Sequence, residues 1–128
     1  MTFQYTLKAL ELMLSDTSFD SAACEALMYQ LIREDEPQFI QYLTKTVSSG
    51  TNFLLTANIL KVLGKVTCSD WADEIFTNAI SHSDLDVRDA AARSLDIHGR
   101  LDILKANQEQ IPWMRDYIET ILLNSIDN

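Results

Sequence analysis

The stretch from Ser83 to Gly99, S-D-L-D-V-R-D-A-A-A-R-S-L-D-I-H-G, carries a helix with both of its ends written into it. Asp86 stands where the helix begins, and a carboxylate there can accept from the open N–H groups of the first turn. Val87, Ala90, Ala91 and Leu95 recur at helical spacing, with small residues in the middle where a neighbouring helix can approach closely. Gly99 closes the segment as a residue tolerant of left-handed backbone does. A helix with a small-residue face needs another helix against it, so this segment predicts helix-on-helix packing.

The rest of the chain supports an all-α reading. Only 3 Gly and 2 Pro punctuate 128 residues, too few for the turns of a sheet protein. That length makes residues 1–128 one domain, able to bury roughly two-thirds of its unfolded surface. Cys24 and Cys68 permit one bridge by count, but no disulfide framework is implied, and two reduced thiols in an intracellular protein are expected. Residues Met1 to Leu14 mix Gln4, Lys8 and Glu11 into their apolar positions and have no signal-peptide core. No apolar run reaches the ~18 residues of a membrane span.

Eight helices are predicted. The first covers Phe3 to Leu14 and the second Phe19 to Arg33, with Ala23, Leu27, Leu31 and their neighbours Cys24 and Met28 inward. The third starts at Pro37, whose missing N–H costs nothing in a first turn, and carries Phe39, Ile40, Leu43 and Val47 on one stripe. The fourth, Asn52 to Val66, is apolar over most of its circumference, as in a helix buried between neighbours; only Asn58, Lys61 and Lys65 mark a polar edge. Ser69 or Asp70 can cap the fifth, with Asp73 and Glu74 favourably placed in its first turn. The sixth is the segment described above. A short seventh spans Leu101 to Ala106, and the eighth runs from Ile111 to Asn124, opening with Pro112 and burying Met114, Tyr117, Ile118, Ile121 and Leu122.

Helix pairs repeat along the chain. Matching Gly64 to Gly99 gives a spacing of 35 and aligns Leu60 with Leu95; Met114-Arg115-Asp116 matches Val87-Arg88-Asp89 at a spacing of 27. The order D-x-D-V-R-x-A-A-x-x-L-x-x-x-G resembles the second helix of a HEAT repeat, closely over Asp70 to Gly99 and partially over Phe39 to Gly64. The resemblance implies a right-handed α-α superhelix of about eight helices, a HEAT-like solenoid whose core runs between stacked units. It also implies that Arg88 braces adjacent units by pairing with Asp84 or Asp86. The second helices of the units, here the fourth, sixth and eighth, are expected to line a concave face.

Motifs for chemistry are missing. There is no G-x-S-x-G, H-E-x-x-H or glycine-rich phosphate loop. His82, Asp84 and Asp86 lack the glycine and twelfth-position glutamate of a calcium loop, and both aspartates fit capping roles. His98 with Cys24 or Cys68 makes at most an incomplete zinc set. No enzyme activity, metal or cofactor is therefore expected.

Charge points to a partner. A net charge of −9 would repel a phosphate backbone, which argues against nucleic acid, and would steer a basic protein. Any single acidic cluster is more simply a solvated surface. The outward positions of the expected concave face form a mixed ridge, and its partner-binding candidates are Asp89, Arg93, Asp96, Asp116 and Glu119. The expected function is a cytoplasmic, non-enzymatic protein-binding module. By analogy of size, charge and fold it is most like a bacterial immunity or antitoxin-type inhibitor that neutralises a basic toxin domain such as a nuclease. The alternatives are a general HEAT-like scaffold or adaptor and a bilin-lyase-like subunit.

Overall fold

The computed structural model describes residues 2–111 and 113–127, side chains excepted at 121, 122 and 124–127. The expected Pro112 at a helix start and the expected burial of Ile121 and Leu122 lie outside the described residues. Among the described residues the chain is all-helical: α1 (Thr2–Leu14), α2 (Ser21–Ser49), α3 (Phe53–Val66), α4 (Asp70–Ala79), α5 (Leu85–Ile97), α6 (Leu101–Ala106), a short 3-10 turn (Gln108–Gln110) and α7 (Met114–Asp127). None of these helices is long and apolar enough to cross a membrane.

The expected eight helices become seven because the second and third join as α2. The join is a kink rather than a continuation. Asp35 has extended backbone (φ −163°, ψ 84°), and its carboxylate accepts from Gln38 N at 3.1 Å, as an N-cap does. Pro37 sits in the first turn beyond it, where no intrahelical N–H is lost. The two arms therefore keep separate axes, each burying its own stripe: Cys24, Met28 and Leu31 before the kink, Phe39, Leu43 and Val47 after it. Cys24 is buried and Cys68 exposed, and neither is bridged.

Helix α3 is the centre of the packing, with nine of its fourteen residues buried. Its first residues depart from the all-round apolar reading: Phe53 and Leu54 are exposed. Asn58 departs in the other direction. Expected on a solvent edge, it is buried, and its Nδ2 donates to Leu14 O at 2.9 Å and to Asp16 O at 3.2 Å. It thus satisfies carbonyls that the end of α1 leaves open, 44 and 42 residues away in sequence.

Helices α3 and α5 lie side by side and run in the same direction. Ser94 Oγ donates to Leu60 O at 3.0 Å, and His98 Nε2 donates to Gly64 O at 2.8 Å, each across 34 positions. Gly64 makes this approach possible, since a Cβ built on it would lie 2.4 Å from Ser94 Oγ and 2.7 Å from Ser94 Cβ. The sequence match between Gly64 and Gly99 therefore pairs two glycines with different duties. Gly64 is inside α3, which continues to Val66; only Gly99 ends a helix, with φ +71°. Around it Arg100 N donates to Leu95 O at 2.9 Å and Gly99 N to Asp96 O at 3.0 Å, the paired bonds of a Schellman ending. α2 packs on α1, α3 and α4, and α4 packs on α5, so the pairs α2/α3 and α4/α5 sit next to each other.

Two capping expectations change. Asp84, not Asp86, caps α5: its carboxylate accepts from Val87 N at 3.1 Å, leaving Asp86 as a first-turn acid. Ser69 precedes α4 with extended backbone but makes no side-chain cap, and Asp70 is already inside the helix.

Candidate protein-binding ridge

Five residues were expected to form a ridge, and the structure divides them. Asp89, Arg93 and Asp96 lie on α5, at positions that put all three on one side of the helix. Two aromatic residues meet them from the start of α7. Trp113 Nε1 donates to Asp89 Oδ1, and Tyr117 Oη lies between the two oxygens of Asp96, at 2.8 and 2.9 Å. Arg93 Nε donates to the other Asp89 oxygen at 2.8 Å, while its guanidinium carbon stands 5.0 Å above the Trp113 ring. The Trp113 and Tyr117 rings meet edge to face at 5.6 Å. Asp89 and Asp96 are thus committed within the chain as acceptors that dock α7 on α5. The Asp96 carboxylate, followed by burial and by its negative charge, raises the Tyr117 hydroxyl above its usual range, because it favours the neutral donor.

Asp116 and Glu119 are placed differently. Both are exposed on α7, and the nearest cation, Arg115, is 4.0 Å from Glu119, with both side chains about two-thirds exposed. A contact that open has little energetic weight and leaves both carboxylates available. The expected ridge therefore separates into a cation stacked on an indole (Arg93 on Trp113) and two exposed acids of α7 that, among the described residues, touch neither member of the stack.

Tyr117, expected on the buried stripe of the eighth helix, is half-buried, and Trp113 is half-buried against the core; the bonds of their polar tips to Asp89 and Asp96 are what the sequence reading lacked. The available signal was a matched spacing: two rings with polar tips at i and i+4, and two acids at i and i+7, each pair presented on one helix side.

A second polar cluster holds the inner end of the same helix. Asp73 is 5% exposed, and its two oxygens receive different partners: His98 Nδ1 at 2.6 Å and Arg100 Nη1 at 2.9 Å. The Schellman ending brings His98 and Arg100 back towards α4, and the other His98 nitrogen reaches Gly64 O. Arg100 also forks onto Asp102, at 3.2 and 3.1 Å. Asp73, expected as a simple first-turn acid, instead joins three helices. This cluster replaces the expected brace. Arg88 makes no ion pair with Asp84, Asp86 or any other carboxylate among the described residues, and its Nε is buried without a partner.

The remaining candidates carry no ligand geometry. His82 Nδ1 accepts from Asp84 N at 2.9 Å, so it acts as part of the turn into α5. Among the described residues no three His, Cys, Asp or Glu side chains are placed to hold a metal ion. No family model, curated protein or solved structure matches this chain.

Proposed function

We propose that the chain is a non-enzymatic protein-binding module that uses the α5–α7 ridge to hold a basic protein domain, in the manner of an immunity or antitoxin-type inhibitor. The observation that carries this reading is the exposed Arg93 over a half-buried Trp113, with two exposed acids, Asp116 and Glu119, on the adjoining α7 of a chain of net charge −9. Tryptophan and arginine are the side chains that most often anchor interfaces, and flanking acids set register and speed encounter with a cationic surface. The bonds that Trp113 and Tyr117 donate to Asp89 and Asp96 hold the rings in place, so little side-chain freedom is lost on binding.

We further infer that the helix pairs stack in a HEAT-like, right-handed superhelix with α3, α5 and α7 on its concave side. The constant offset of 34 between α3 and α5 supports this.

The test uses charge reversal where it does not disturb the dock. Asp116→Lys with Glu119→Lys should leave the helical spectrum unchanged. It should weaken association with a basic polypeptide copurified from the native host by roughly tenfold or more, and the parent complex should weaken as salt rises. Coexpression with that polypeptide should relieve its toxicity. Unchanged binding by the double variant would move the site elsewhere, and binding of duplex DNA at physiological salt would overturn the partner class.

A further inference from the structure

The chain has two histidines, and the atoms around them call for opposite protonation states. His82 Nδ1 accepts from Asp84 N at 2.9 Å, so that nitrogen carries no hydrogen and the ring is neutral. At His98 both nitrogens meet acceptors: Nδ1 is 2.6 Å from Asp73 Oδ1, and Nε2 is 2.8 Å from Gly64 O. A carbonyl cannot donate, so Nε2 carries a hydrogen. Nδ1 then needs a second hydrogen unless Asp73 supplies it. Two features keep that proton off Asp73. Its other oxygen accepts from the Arg100 guanidinium at 2.9 Å, which favours the carboxylate. It also stands in the first turn of α4, where the helix dipole favours an anion, whereas His98 ends α5, where the dipole favours a cation. The His98 side chain is 2% exposed, so water does not replace either partner.

We infer that His98 is an imidazolium in the folded chain, and that its two N–H groups act as a proton-operated clasp fastening α5 to α3 and α4. The charged groups that meet it are Asp73 of α4 and, beyond Asp73, Arg100 with Asp102; α3 presents the uncharged Gly64 carbonyl, and α4 also presents the Phe76 ring, edge to face at 5.6 Å. Loss of one proton leaves one N–H for two buried acceptors, and the acceptor left unserved is destabilising. The clasp is therefore shut at lower pH and released as pH rises and the proton leaves. It shares no residue with the α5–α7 ridge, so the two readings stand or fall separately.

The test is nitrogen-15 NMR of the two imidazole rings in the full chain at about pH 7.5, where an ordinary imidazole is about nine-tenths neutral. His98 should show hydrogen on both nitrogens, and His82 on Nε2 alone. Unfolding in urea at the same pH should remove the difference between them. Raising the pH of the folded chain should move the Gly64 and Asp73 amide signals on the same titration curve as the His98 ring. His98→Gln, neutral at every pH, should remove the linked effect on stability. Between about pH 6 and about pH 9 the folding equilibrium constant of the parent should fall roughly tenfold relative to that of the variant. The ring measurement needs no variant, so it decides the matter even if His98→Gln does not fold. A single hydrogen on the folded His98 ring would overturn the inference, whether or not Asp73 carries the other. So would equal pH dependence of parent and variant, or a ring titration that the Gly64 and Asp73 signals do not follow.

Discussion

Helix α5 is joined to α3 and to the start of α7 by different chemistry. Towards α3 the seam is built from small residues and backbone: Gly64 admits Ser94, whose hydroxyl bonds to Leu60 O, and flanking residues Leu60, Leu63, Ala91 and Leu95 are buried. Towards α7 the seam described here is built from long polar tips: Trp113 to Asp89 and Tyr117 to Asp96, with Arg93 64% exposed over the indole. Close packing gains dispersion and burial over many atoms and tolerates no added volume. A seam of half-exposed hydrogen bonds gains less and remains open to solvent, salt and a partner. The same helix thus separates a structural side from a side suited to exchange. The proposed binding ridge belongs to the second.

The sharpest way to break this contrast is a cavity in the first seam. Leu60 is fully buried at the centre of α3, so Leu60→Ala should cost about 2–5 kcal/mol in denaturant unfolding. A loss below about 1 kcal/mol would mean that α3 is not the packing centre. Adding volume is the complementary test. Gly64→Ala should cost about 1–3 kcal/mol, because the new methyl meets Ser94 from Oγ to Cα and the two helices must separate. Adding Ser94→Gly to Gly64→Ala should recover part of that loss. Two additive losses would show that the contact is not the cause.

What could be read in sequence follows the range of the interaction. The stripes of α2, the break before Pro37 and the closing role of Gly99 all depend on residues within a turn or two, and each was legible. The misread positions have partners elsewhere. Asn58 looks like a solvent edge until Leu14 O is placed beside it, and Asp73 looks like a dipole-favouring acid until His98 arrives from 25 residues away. Gly64 lies inside the expected fourth helix, as the structure has it, but its part in admitting Ser94 depends on a residue of another helix. For the ridge, the sequence placed Asp89, Arg93, Asp96, Asp116 and Glu119 on two helices. It could not tell which acids were already occupied, since that depends on where Trp113 and Tyr117 come to rest.

The second seam should give smaller effects. Tyr117→Phe removes the bond to Asp96 without altering ring packing. The bond is half-exposed, so the expected loss is about 0.5–1.5 kcal/mol. The same variant should remove an alkaline contribution whose sign follows from the raised hydroxyl. The folded state holds that proton more tightly than the unfolded state does, so the stability is present below the ordinary tyrosine range and fades as pH rises through the folded value. A loss from Tyr117→Phe as large as that from Leu60→Ala would erase the distinction between the seams.

Arg88 gives the smallest effect and the most pointed one, because it lies on the helix both seams share. A bracing arginine would be held by carboxylates, and its loss would cost several kcal/mol by leaving them unpaired. Here Arg88 has no carboxylate partner among the described residues, and its buried Nε has no acceptor. Arg88→Met keeps the length and apolar stem of the side chain while deleting an unsatisfied donor. Unfolding free energy should therefore stay within about 1 kcal/mol of the parent, with any change towards greater stability. Arg88→Ala should be worse than Arg88→Met, because it also removes the stem. Asp73→Asn supplies the contrast, since it keeps the shape of the side chain but removes the charge that His98 and Arg100 share. If Arg88→Met proved as damaging as Asp73→Asn, the brace would lie on α5 after all, and the cluster at the end of α5 would be secondary to it.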